Sequence, residues 1–156
     1  MRQTIKLLAS LTICYAATFF GTFLGGAVRS DWYTSLAKPV FMPPGWLFGP
    51  VWTILYGMMA ISLFLVWRQG LDRSGSKTAF GIFLAQLIVN AIWSPVFFGL
   101  KRPELAFIVI ITLWLLIGLT VVIFRRVSQL GAWLLVPYLA WVTFATVLNG
   151  AIVYLN

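Results

Sequence analysis

The sequence predicts an all-α membrane protein, a five transmembrane helix bundle built by residues 1–156 as a single domain. Hydrophobic residues make up 62% of the chain and charged residues 9%, against about a quarter charged in an ordinary soluble domain. A water-soluble fold of this length has too little interior to hide so much apolar surface. Five stretches lack Lys, Arg, Asp and Glu: Leu7 to Val28, Gly45 to Trp67, Thr78 to Leu100, Leu105 to Phe124 and Gly131 to Leu155. Each reaches the roughly 20 residues that a helix rising about 1.5 Å per residue needs to cross the hydrocarbon. The charges fall before the first stretch or between stretches.

Arg2 and Lys6 precede the first span, whose run ends in Gly25, Gly26 and Ala27. That is also how a cleavable signal peptide looks, but the apolar run exceeds the usual h-region of about 7 to 15 residues, so it reads as an uncleaved helix. The single cysteine, Cys14, lies inside it and reads as packing. Ala17, Gly21 and Gly25 form a small-residue stripe on this helix, and Gly81 with Ala85 a shorter one on the third. Such stripes serve either a dimer interface or close packing within the chain.

The loop 29–44 mixes Trp32, Tyr33 and Phe41 with Pro39, Pro43 and Pro44, a semi-rigid composition suited to folding over one bundle end as a lid. Pro43 and Pro44 just precede the second helix, where a missing N–H costs nothing. The third span carries Gln86, Asn90 and Pro95 and is the least lipid-like, which suggests that it faces its neighbours. Pro95 and Pro137 free the carbonyls of Ala91 and Trp133, and kinks there would open a cavity. The short later loops predict that helices adjacent in sequence pack as neighbours, up and down.

Net charge is +8, but the basic residues sit in small groups at helix ends, which argues for topology signals rather than nucleic-acid binding. Arg2, Lys6, Arg68, Arg73, Lys77, Arg125 and Arg126 fall on one side, and Arg29, Lys38, Lys101 and Arg102 on the other. This bias of seven to four puts the N-terminus in the cytoplasm. The chain has no histidine, and its three acids, Asp31, Asp72 and Glu104, lie at membrane edges. That composition disfavours a Ser-His-Asp triad, a zinc or di-iron site, a histidine-ligated haem and an ion-coupled carrier.

Eight tryptophans and five tyrosines remain as functional material. Trp67 fits an interfacial belt, and Trp114, nearer mid-span, fits packing. Helical spacing puts Gln86, Asn90, Trp93 and Phe97 on one face, Trp52 and Tyr56 on another, and Tyr138, Trp141 and Ala145 on a third. Mid-span amides beside aromatics act either as interhelical glue or as polar contacts in an aromatic-walled pocket for an apolar planar molecule. Arg29 and Lys38 would meet such a ligand's carboxylates or else snorkel to headgroups.

The run Trp32-Tyr33-x-x-Leu36-x-Lys38-Pro39-x-Phe41-x-Pro43-Pro44-x-Trp46-x-Phe48-x-x-Val51-Trp52-x-x-Leu55-Tyr56 resembles the signature of the TspO family. These are the tryptophan-rich sensory and translocator proteins, also called peripheral-type benzodiazepine receptors. Asn90-x-x-Trp93-x-Pro95-x-Phe97-Phe98-Gly99 and Ala132-Trp133-x-x-x-x-Pro137-Tyr138-x-x-Trp141-x-x-x-Ala145 are similar to it as well. The resemblance, to bacterial-type members, implies a five-helix bundle, commonly a homodimer in a bacterial membrane. It implies a pocket under the first loop that takes protoporphyrin IX or haem as ligand, with no required cofactor or metal. Some members bind cholesterol or benzodiazepine-type drugs.

By the same resemblance, Trp52 and Trp141 form the aromatic pair and Asn90 the polar contact. Tyr33, Trp93 and Ala145, with Tyr138 from the shared face, complete the wall. Trp32, Lys38, Pro43 and Pro44 belong to the lid. Bacterial relatives are described as promoting light-dependent porphyrin breakdown, which would make Trp52 and Trp141 redox-active groups; transport of tetrapyrroles or lipids is the alternative. Phe41 and Met42 depart from the family pattern, as does the cholesterol motif: Val147 or Leu148 and Tyr154 are present, but no cation follows before Asn156.

Overall fold

The computed structural model describes residues 2–25, 30–72 and 74–156. Val28 and Arg29, read from sequence as the end of the first span and a lid cation, lie outside the described residues, as does Arg73 of the charge count. Helix α1 covers Arg2–Gly25, α2 Asp31–Ser35, α3 Gly45–Trp67, α4 Ser76–Ser94, α5 Pro103–Val127, α6 Gln129–Leu134 and α7 Val136–Leu155. Five segments are long and apolar enough to span a bilayer: Arg2–Gly25, Gly45–Trp67, Ser76–Gly99, Pro103–Val127 and Gln129–Leu155. The fold class is therefore the predicted one, and the charge-free runs locate the spans to within a few residues.

The lid is not plain loop. Ser30 caps the short helix α2 by accepting from the Tyr33 N–H at 3.3 Å. The segment then runs through Pro39 to Pro44, which stands at the N-cap of α3. Trp32, Tyr33, Leu36 and Met42 pack against Phe97, Ala106 and Ile152, so the lid rests on the ends of three spans. A polar clasp adds to this apolar seat. The Ala37 N–H donates to Asn156 Oδ1 at 2.9 Å, and Asn156 Nδ2 donates back to the Ala37 carbonyl at 3.1 Å.

Pro95 and Pro137 reshape their helices, whereas α3 runs unbroken through Pro50. Pro95 opens a π-helical turn, Pro95–Gly99, closed by the Leu100 N–H to the Pro95 carbonyl at 2.8 Å. Pro137, which lacks the donor a continuous helix needs, splits the last span at Leu135 into α6 and α7.

Packing order differs from sequence order. α1 packs on α3 and α4, α4 on α5, α5 on α6 and α7, and α3 closes the ring against the last span, chiefly through α6. The expectation that successive helices are neighbours fails for α3 and α4, whose mutual contact is small. The connection 68–75 is long enough to pass the start of α1, where Lys6 Nζ donates to the Trp67 carbonyl at 3.0 Å. The third span is also not the most enclosed, as its polar residues had suggested. The second is, and Ile88 and Ile92 of α4 stay exposed.

The small-residue stripes divide. A Cβ on Gly21 would sit 3.0 Å from the Ala91 carbonyl oxygen, and one on Gly25 would collide with Ser94, so the α1 stripe is used for close approach to α4. Gly81 and Ala85 are exposed.

Candidate ligand-binding site

Three helices converge on a buried polar centre. Tyr56 of α3 donates its hydroxyl to Asn90 Oδ1 of α4. Asn90 Nδ2 donates to the Tyr138 hydroxyl of α7 at 2.8 Å, and Tyr138 passes its own proton to Gln86 Oε1 at 3.0 Å. Gln86 and Asn90 are one helical turn apart, so both amides reach the same interior strip. The run of donors fixes the orientation of each group, because a hydroxyl has one proton to give. Glue is thus one real use of these amides, and Asn90 keeps one N–H and one lone pair for anything else.

Aromatic walls flank this centre. Trp52 lies 5.6 Å from Tyr56 and 6.2 Å from Tyr138 between ring centroids. Trp141 lies 5.8 Å from Phe48 and 5.6 Å from Phe144. Phe48 and Trp52 are one turn apart on α3, as Tyr138 and Trp141 nearly are on α7, so the two groups form a continuous wall between these helices. Ala145 follows one turn beyond Trp141 and packs on the same core. Three buried side-chain polar atoms have no hydrogen-bond partner among the described residues, and two of them, Trp141 Nε1 and Gln86 Nε2, lie on these helices' inner faces, the third being Ser76 Oγ at the start of α4. An unpaired donor away from water costs free energy unless something accepts from it.

Trp93 joins the lid to the bundle. It stacks on Phe97 at 5.1 Å, and its indole N–H donates to Asn149 Oδ1 at 3.1 Å. Asn149 Nδ2 in turn donates to the Pro103 carbonyl at 3.0 Å. From the lid, Tyr33 meets Phe98 edge-on at 5.3 Å and Trp32 meets Phe97 at 6.0 Å. Burial pushes the Tyr33 phenol above its ordinary value. Lys38 folds back, its Nζ 4.8 Å from the Tyr33 ring centroid and donating to the carbonyls of Thr34 and Leu36. It is exposed, Pro43 is half-buried and Pro44 is exposed.

The structure therefore brings Trp52, Asn90, Tyr138, Trp141 and Ala145 into one region, with Trp93 linking them to Tyr33, Trp32 and Lys38 above. The cavity expected from the proline kinks lies elsewhere. A groove of about 480 Å³ runs between α1 and α4, walled by Ala17, Gly21, Leu84, Leu87 and Ala91 and ending at Pro95. Asn149 was not singled out from sequence, and Phe48 appeared only within the signature run, not as a site residue. Asn149 extends the Tyr138, Trp141, Ala145 series by one more turn, and Phe48 stands one turn before Trp52, so periodicity alone could have found both. Trp114, expected to pack, is exposed on the bundle surface, where its N–H donates to Thr143 Oγ1 at 2.8 Å.

Fold and site together define a five-span helical membrane protein whose interior is organised by amides and aromatics beneath a proline-rich lid. A family model described as the TspO/MBR family matches residues 10–155, and the chain belongs to that family. It is 41% identical to the "Tryptophan-rich protein TspO" of Chlorobaculum tepidum, over 99% of this chain and 98% of that one. It is 38% identical to "Protein CrtK" of Rhodobacter capsulatus, over 84% and 83%. With the "Translocator protein" of Homo sapiens it shares 39% identity over 76% of this chain and 70% of the other.

Proposed function

We propose that this chain is a receptor or sensor-like membrane protein that binds a planar tetrapyrrole, protoporphyrin IX or haem, between α3, α4 and α7 under the lid. The observation that carries this reading is the unpartnered, buried indole N–H of Trp141 in an aromatic wall. An acceptor on a ligand would satisfy that donor, while Trp52 and Trp141 present π surface to a macrocycle. Lys38, exposed on the lid and without a carboxylate partner among the described residues, supplies charge for a propionate at the mouth. The chain has no histidine to ligate haem iron, so recognition rests on the ring face and the carboxylates.

In light, an excited porphyrin held against Trp52 or Trp141 can take an electron from the indole, giving an indole radical cation and a porphyrin radical anion, and dissolved dioxygen would be the oxidant for ring breakdown. Titration of protoporphyrin in darkness and under illumination, with wild type and the Trp52→Phe/Trp141→Phe double variant, tests both parts. The proposal expects binding in the dark and a new absorbing species in light that the double variant does not form. Unchanged breakdown in the double variant would remove the photochemical role, and no dark binding would remove the receptor reading.

The α1–α4 groove favours the second reading, transport of tetrapyrroles or lipids, because its lining is apolar and lies between two spans. Accumulation of ligand in sealed vesicles would select that reading. The exposed Gly81 and Ala85 face is the surface open to a homodimer, and the charge bias favours a cytoplasmic N-terminus in a bacterial membrane.

A further inference from the structure

The membrane face where α5 ends and α6 begins carries a second, smaller concavity of about 80 Å³, lined by Val121, Arg125, Ala132, Trp133 and Val136. Its layout changes with depth. Arg125 and Trp133 stand at the rim, Trp133 61% exposed. Val121 lies one turn before Arg125 on α5, and Val136 one turn past Ala132 where the span is broken at Leu135, so both lie deeper in the bilayer. Arg125 is exposed, and among the described residues the sole ion pair is Arg102 with Glu104. The crevice thus joins an unpaired cation and an indole at headgroup level to an apolar floor.

We infer that this crevice binds an anionic phospholipid, with the headgroup phosphate on the Arg125 guanidinium and the upper acyl chain against Val121, Trp133 and Val136. A planar guanidinium grips phosphate oxygens in pairs, indoles settle at the interface, and basic pockets between spanning helices on this kind of surface hold acidic headgroups. Arg125 and Arg126 share two simpler duties, since both complement the C-terminal end of the α5 dipole and both mark membrane sidedness. Only Arg125 lines the crevice. That difference between adjacent residues of equal charge makes the inference testable.

The test uses the full chain in nanodiscs of phosphatidylcholine with a minor fraction of phosphatidylglycerol, reading retained lipid by native mass spectrometry after release. Wild type should retain phosphatidylglycerol over phosphatidylcholine, and Arg125→Gln should lose about fivefold of that preference, while Arg126→Gln keeps it. Val136→Phe, which fills the crevice and leaves all charges in place, should lose it as well. Helical content by circular dichroism guards against unfolding in each variant. Equal losses in Arg125→Gln and Arg126→Gln, retention in Val136→Phe, or displacement of the lipid by millimolar inorganic phosphate would overturn the inference. These outcomes read lipid retention and not tetrapyrrole binding, which is tested separately by protoporphyrin titration.

Discussion

Asn90 serves two partners at once, accepting from Tyr56 and donating to Tyr138. Replacing it with Ala leaves both hydroxyls buried and without it, and interhelical hydrogen bonds in bilayers are worth about 1–2 kcal/mol at most. Asn90→Ala should therefore lower stability by about 1–2 kcal/mol in detergent unfolding followed by circular dichroism. Gly21→Val makes a sharper steric test. Its side chain would meet the Ala91 carbonyl, where even a Cβ reaches 3.0 Å, so α1 and α4 must separate, at a cost of about 1–3 kcal/mol. The amide stripe on α4 was legible from helical spacing. Which donors would be left over was not, because that depends on the partners offered by α3 and α7.

At the scale of elements, the lid is held by an aromatic seat and a single side-chain clasp. Asn156→Ala removes both hydrogen bonds to Ala37 and leaves the packing of Trp32 and Tyr33 on Phe97 and Phe98 in place. Hydrogen exchange in peptides covering the lid should accelerate about fivefold, as expected for loss of roughly 1 kcal/mol of local protection, with the spans unchanged. Exchange at wild-type rates would mean that the aromatic seat alone holds the lid.

The spans were readable because charge-free runs of bilayer length have few other interpretations. The helix inside the lid and the clasp were not. A five-residue helix leaves little periodic signal, and Ala37 and Asn156 meet across nearly the whole chain. Pro95 was read correctly as a disturbance, but whether a helix answers by kinking or by widening into a π turn depends on the packing around it.

At the scale of the molecule, ring order decides what can be a site. Because α3 closes against the last span, chiefly through α6, Trp52 and Phe48 of α3 reach Tyr138 and Trp141 of α7. Because the α3–α4 contact is small, Tyr56 and Asn90 meet across the interior instead of along a shared seam. Short loops alone pointed to sequential neighbours. The face that each helix offers its neighbours prevailed over chain connectivity.

The central claim is that the wall built by Trp52 and Trp141 receives the tetrapyrrole, and dark equilibrium binding of protoporphyrin IX by absorbance tests it most directly. Trp67 meets Phe80 edge-on at the other end of α3 and provides a remote tryptophan for comparison. Trp141→Phe should weaken binding about tenfold through loss of one buried donor, with Trp67→Phe matching wild type. Equal affinities in all three proteins, or equal loss in both variants, would contradict the account.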